Sequence, residues 1–210
     1  NGHNSLYFTG DYDSEKHTFE KDAPVSLDYG LDFYAPQTTL LPDGRRVMIA
    51  WMRMPKPVES KDGTQWIGMM CLPRVVGIKN GQVTFDVHPN VKENFEEIDL
   101  TKVVLKLKEK QPLWITTTLS EGEELEIGGY EICLEDGAVV GNRERVFADM
   151  EGYHVENQTP KVGKSAKLDI FVEENLIEIF VNDGQYVLSH VVYGLGDTLN
   201  GKIQKVRVLK

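Results

Sequence analysis

Apolar and polar residues alternate along much of this chain with the two-residue period of half-buried strands. Val83-Thr84-Phe85-Asp86-Val87 shows the alternation plainly, and Val47-Met48-Ile49-Ala50-Trp51 is a nearly continuous apolar run. The clearest stretch is 168–193. There 168–172 leads to a turn at Glu174-Asn175, 176–181 forms a second strand, and 186–193 forms a third after Asn182-Asp183-Gly184-Gln185. This spacing predicts a three-strand meander of the kind found in sandwiches and barrels. Residues 103–108 and 113–119 read as two further strands. Only 90–98 reads as a short helix, with Val91, Phe95 and Ile98 at helical spacing.

Turn chemistry supports the same picture. Six internal Asx-Gly pairs punctuate the chain: Asp43-Gly44, Asp62-Gly63, Asn80-Gly81, Asp136-Gly137, Asp183-Gly184 and Asn200-Gly201. Both residue types tolerate positive φ, which tight hairpins demand. The expected fold class is therefore all-β. Aromatics and Pro are dense before His88-Pro89-Asn90, and regular strands with Lys and Glu on the solvent side follow it. The expected boundary separates 1–88 from 89–210.

Composition narrows the partners. With 33 acids against 23 bases the net charge is −10, which argues against nucleic acid and anionic membranes. No apolar run approaches the roughly 18 residues of a membrane-spanning helix. Cys71 and Cys133 sit in apolar stretches and read as reduced, buried thiols, with a disulfide left open because sequence does not place them in space.

The common catalytic signatures are missing. Gly194-Leu195-Gly196 does not continue as a dinucleotide motif, and there is no phosphate loop, Cys-x-x-Cys or Gly-x-Ser-x-Gly. The five histidines are scattered and suggest no metal site. One unusual segment, 27–38, packs Asp28, Asp32, three aromatics and Gly30 just ahead of a strand. Carboxylates that bind paired hydroxyls and aromatic faces that cover a ring are what sugar sites use. The plainer reading is an acidic turn with its aromatics in the core. A second segment carries Trp51 from a strand into a loop, where binding residues often sit.

In combination these segments are specific. Ser5 to Asp13, 27–38, Gly44-Arg45-Arg46-Val47-Met48-Ile49-Ala50-Trp51-Met52, and 66–74 with Leu72-Pro73-Arg74 resemble, in order, the C-terminal half of glycoside hydrolase family thirty-two. The run Ile177-Glu178-Ile179-Phe180-Val181-Asn182-Asp183-Gly184 resembles that family's C-terminal sandwich. This is the family of invertases, sucrose-6-phosphate hydrolases, levanases and inulinases.

The resemblance implies a partial β-propeller, its last blade at 1–88, followed by a C-terminal β-sandwich at 89–210. It implies cleavage of fructosyl bonds with retention, which needs a nucleophile and an acid/base about 5 Å apart. The family's nucleophile motif, its Arg-Asp-Pro and its Glu-Cys have no counterpart here: Asn182-Asp183-Gly184 lies in the sandwich part, and Glu131-Ile132-Cys133 is not Glu-Cys. The expectation is that all three lie upstream of residue 1, that no catalytic residue falls in the chain, and that the chain alone is inactive. At about 45 residues per blade, five blades need roughly 225 residues before any sandwich.

By the same resemblance, Asp28 is expected to face the substrate funnel, Trp51 to sit at its rim, and Tyr34 to share the neighbouring strand. These three are the expected substrate-binding residues. Some plant members carry Lys where this chain has Leu31, which sets aside plant-like sucrose contacts. No cofactor or metal is implied. The expected partner is a sugar bound by a complete propeller, with self-association through the incomplete blade, whose Phe33, Leu40, Ile49 and Met69 should be partly exposed unless they pair with the sandwich. The alternative is a non-catalytic carbohydrate-binding sandwich. A small enzyme using Asp28 and Asp32 as its carboxylate pair is a third reading.

Overall fold

A computed structural model describes residues 5–60, 62–147 and 153–210. Its strands form two regions. The first is built on an antiparallel sheet ordered Gln82–Val87, Arg74–Lys79, Arg46–Met52 and Phe33–Leu40, with the short strand Met69–Met70 beside Arg46–Met52. The second is a sandwich. One of its sheets runs Phe95–Ile98, Lys205–Leu209, Leu113–Ser120, Ser165–Glu173, Leu176–Val181 and Tyr186–Val191; the other runs Glu156–Gln158, Ala138–Asn142, Tyr130–Glu135, Glu124–Ile127 and Leu199–Gly201. All pairings among these strands are antiparallel.

The Asx-Gly pairs explain much of the connectivity. Asn80 and Gly81 take φ of 52° and 77°, and Asp136 and Gly137 take 49° and 77°. Each pair closes a two-residue hairpin whose primed turn matches the strand twist. Asn200-Gly201 is the exception: it lies inside the edge strand Leu199–Gly201.

Two elements differ from the sequence reading. Val103–Lys108 is a helix, not a strand. Its Val103 and Leu107 are buried four residues apart, and Asp99 caps the preceding turn by accepting from Thr101 N–H at 2.9 Å. The run Val-Val-Leu-Lys-Leu-Lys is too short for its period to choose between helix and strand. The expected helix over 90–98 shrinks to Pro89–Lys92, because Phe95–Ile98 pairs with Lys205–Leu209, more than a hundred residues away.

The core has two parts. Inside the sandwich, Ile115, Leu125, Ile127, Ile132, Ile170, Ile177 and Ile179 are sealed from water. Each such side chain contributes about 1.5–3 kcal/mol by burial. A second cluster joins the regions: Phe33, Met48, Met52 and Phe85 from the first sheet meet Phe171, Phe180, Val187 and Val191 from the outer face of the six-stranded sheet. That sheet is thus covered on both faces, so Leu176–Val181 is buried at every position where a one-sided strand would alternate.

Candidate functional site

The segment between Leu27 and Trp51 splits into a buried half and an exposed half. The buried half is polar. Asp28 is fully enclosed, accepting the N–H groups of Gly30 and Ser189 on Oδ1, each at 2.9 Å. Its Oδ2 faces Arg74 Nη2 at 2.9 Å. Arg74 Nη2 also donates to Glu178 Oε2 at 2.6 Å and to Ser189 Oγ at 2.9 Å, while the guanidinium lies 4.5 Å above the Phe33 ring. Glu178 Oε1 accepts from Leu72 N–H at 2.7 Å. Burial pushes the Glu178 carboxyl above its ordinary range, opposed by Arg74. Gly30 is obligatory at this crossing: a Cβ there would lie 1.7 Å from the Ser189 carbonyl oxygen.

Asp32 forms a second link. Arg143 grips its carboxylate with both terminal nitrogens, and Val191 N–H donates to Oδ2 at 2.9 Å. Arg143 further donates to the carbonyls of Val191 and His154, each at 2.8 Å, and stacks 3.6 Å from the Phe147 ring centre. Both carboxylates are therefore tied to the sandwich region. This overturns the third reading, in which Asp28 and Asp32 work as a catalytic pair: each is held by a different arginine and closed to water. The funnel-facing setting that the resemblance implied for Asp28 is likewise not the one observed.

The exposed half is aromatic. In the Phe33–Leu40 strand a register shift falls between Tyr34 and Gln37, with Ala35 at φ 49°. Such a bulge re-aims side chains. Tyr34 pairs directly with Trp51, their rings 6.2 Å apart at 62°. They are 45% and 39% exposed, while the next pair along, Phe33 and Met52, points into the inter-region core. Arg53 lies 5.0 Å over the Tyr34 ring and donates from Nη2 to the Leu31 carbonyl at 2.8 Å. Gly68, at φ 90°, leaves room for the indole: a Cβ there would sit 1.9 Å from Trp51 Nε1. This surface offers ring faces and a cation.

Of the three expected site residues, the structure brings Tyr34 and Trp51 together and sets Asp28 apart. The apolar residues expected to be partly exposed unless they pair with the sandwich behave so: Leu40 and Ile49 are exposed, Met69 is half-buried, and Phe33 is buried against the sandwich. Arg143, Arg53 and Glu178 received no role from the sequence. The available signal was Glu178, the lone charge in an apolar strand, which demands a buried partner. Cys71 and Cys133 are both free; Cys71 is buried and Cys133 half-buried. Among the described residues no three His, Cys, Asp or Glu side chains are grouped to hold a metal.

Comparison with known proteins places this geometry. The N-terminal domain model of glycosyl hydrolases family 32 matches residues 1–89, and the C-terminal model of the same family matches 115–204. A sucrose-6-phosphate hydrolase of Vibrio alginolyticus is 28% identical over 87% of this chain and 40% of its own length. One from Escherichia coli is 32% identical over 80% of this chain and 38% of its own. Among solved structures, a sucrose-6-phosphate hydrolase from Lactobacillus gasseri superposes with a TM-score of 0.75 at 21% identity, over 97% of this chain and 46% of that one. A fructan 1-exohydrolase IIa from Cichorium intybus, in complex with 1-kestose, superposes at 0.68 and 14% identity, over all of this chain and 52% of that one. The chain spans about 40% of the length of the curated relatives it matches. Its architecture is all-β, a partial propeller followed by a sandwich, and the chain belongs to glycosyl hydrolases family 32.

Proposed function

We propose that this chain is the C-terminal part of a β-fructofuranosidase-type hydrolase that cleaves fructosyl bonds in sucrose, sucrose 6-phosphate or fructans with retention. The catalytic carboxylates are supplied from outside the 210 residues. Residues 1–88 act as the last propeller blade and 89–210 as the sandwich. Tyr34 and Trp51 supply a sugar-stacking wall at the substrate site, with Arg53 beside them. Asp28 serves by holding that wall to the sandwich, not by touching sugar. The observation that carries this reading is the ordered match of both family models to the two regions, with the aromatic pair exposed on the first. The names of the matched relatives, several of them sucrose-6-phosphate hydrolases, support the substrate class.

The test is fructose release from sucrose, sucrose 6-phosphate and levan. It is measured with the 210-residue chain and with the whole gene product that carries it. The chain alone is expected to be inactive, and the gene product active with first release of the retained anomer. Hydrolysis by the chain alone would overturn the placement of the carboxylates. Inactivity of the gene product on all three substrates would overturn the activity.

A further inference from the structure

A second concave surface lies where the two regions meet, and it shares no residue with the Tyr34–Trp51 wall. The cleft is an open groove of about 490 Å³, inside the roughly 300–1,000 Å³ span of small-molecule sites. Three separate segments each lend it a tyrosine: Tyr7 from Leu6–Tyr7, Tyr29 from the loop after Val25–Ser26, and Tyr186 from the start of Tyr186–Val191. The Tyr29 and Tyr186 rings meet edge to face, 5.5 Å apart at 89°, and Phe85 braces the Tyr7 ring at 5.8 Å. All three tyrosines are half-buried. Among the described residues none of their hydroxyls has a hydrogen-bond partner, and none is sealed from solvent, while all three side chains line the cleft.

The rest of the lining is equally telling. Thr9 and Gln82 lie in the lining as well, the Thr9 hydroxyl donating to Asp22 at 2.7 Å and the Gln82 amide oxygen accepting from Gln185 at 3.3 Å, which leaves the Gln82 NH2 group to donate; no acidic, basic or histidine side chain lines the cleft itself. Burial, reinforced by the neighbouring phenols, pushes the Tyr29 hydroxyl up to about 12 and Tyr7 upward as well. The surface is therefore uncharged across neutral pH. A phosphorylated or carboxylated ligand would lose hydration here and meet no cation in return. A hydrocarbon would leave the phenols without partners. A sugar ring satisfies both demands, since it has a C–H face for aromatic contact and a rim of hydroxyls that donate and accept.

We propose that this inter-region cleft is a non-catalytic binding site for an uncharged saccharide unit, held by ring contact and by hydrogen bonds from the three phenols and Gln82. The inference stands apart from the hydrolytic reading, because binding here needs neither the catalytic carboxylates nor the Trp51 surface.

The experiment is a titration of the protein with the neutral trisaccharide 1-kestose and, in parallel, with sucrose 6-phosphate, following tyrosine ring signals by NMR. Kestose is expected to shift the Tyr7, Tyr29 and Tyr186 signals saturably in the millimolar range; sucrose 6-phosphate is expected to leave them in place. Tyr186→Phe keeps the ring and removes one hydrogen bond, which should weaken kestose binding roughly two- to tenfold. Tyr186→Ala should weaken it more, and Trp51→Ala should not change the shifts at these three tyrosines. The proposal fails if kestose gives no saturable shift, if sucrose 6-phosphate binds there equally well, or if binding survives both Tyr186 variants. It also fails if Trp51→Ala abolishes the shifts. Tyr186→Phe keeps the test valid should Tyr186→Ala misfold.

Discussion

The two regions solve the same problem in different ways. The sandwich encloses its own core: strands such as Leu113–Ser120 alternate, with every second side chain fully buried against the facing sheet. The first sheet has no such partner of its own. Its Arg46–Met52 strand turns Met48, Ala50 and Met52 toward the sandwich and leaves Ile49 and Trp51 outward. Leu40, Met70 and Ile78 on the same sheet are 60%, 54% and 80% exposed. One region is stable through its interior, whereas the other depends on its attachment. The attachment is made by aromatic packing and by two arginine–carboxylate links that cross in opposite directions, Asp32 to Arg143 and Arg74 to Glu178.

The largest expected effect tests that attachment. Arg143→Met leaves Asp32 buried without its cation and should destabilise the protein by roughly 3–5 kcal/mol. Chemical denaturation should then show the first region unfolding ahead of the sandwich. A loss below about 1 kcal/mol would mean that the link does not hold the sheet in place. Next in size is a contrast between interior and outward positions. Ile177→Ala in the sandwich core should cost roughly 2–5 kcal/mol, while Ile49→Ala on the outward face should stay within about 0.5 kcal/mol. Equal costs would erase the distinction between the regions.

A pH effect follows within the sandwich. His190 accepts from the Tyr130 hydroxyl at 2.7 Å, and its Nε2 donates to Asn157 Oδ1 at 2.8 Å. Burial holds it well below its ordinary value of 6.5. The folded imidazole stays neutral while the unfolded one gains a proton as pH falls. Its contribution is therefore complete above 6.5 and is lost below it, by at most about 1.4 kcal/mol per pH unit. His190→Gln should flatten that limb of a melting-temperature profile between pH 5 and 7. An unchanged limb would show that His190 titrates normally in the fold.

The smallest effect on stability, within about 0.5 kcal/mol, is expected from Leu40→Lys and Ile78→Lys. These should change association instead. The outward apolar face should make the 210-residue chain self-associate, and the two lysines should lower the mass found by light scattering. A monomeric parent chain would refute this.

Much of the fold was legible because it is local. The meander from Leu168 onward carries β-branched and aromatic residues in strand-length runs, and Asp183-Gly184 closes a hairpin by its own φ preferences. Motifs that resemble a known family singled out Tyr34 and Trp51, which the structure pairs across neighbouring strands. Asp28 was misplaced for a physical reason. A carboxylate beside aromatics has the same local chemistry whether it faces a sugar or an arginine, and Arg74 lies 46 positions away with Glu178 farther still. The helix Val103–Lys108 and the strand Phe95–Ile98 were misread because short apolar runs carry no decisive period, and the strand's partner is the last strand of the chain.

Residue order alone settles the all-β character, the positions of most turns and the family, because turn propensity and apolar periodicity act over a few neighbours. Which face of each strand is enclosed, which carboxylates become structural, and where an uncharged cleft opens are settled only by assembly. Those properties belong to pairs of residues a hundred positions apart, and their energies exist only once water has been driven from between them.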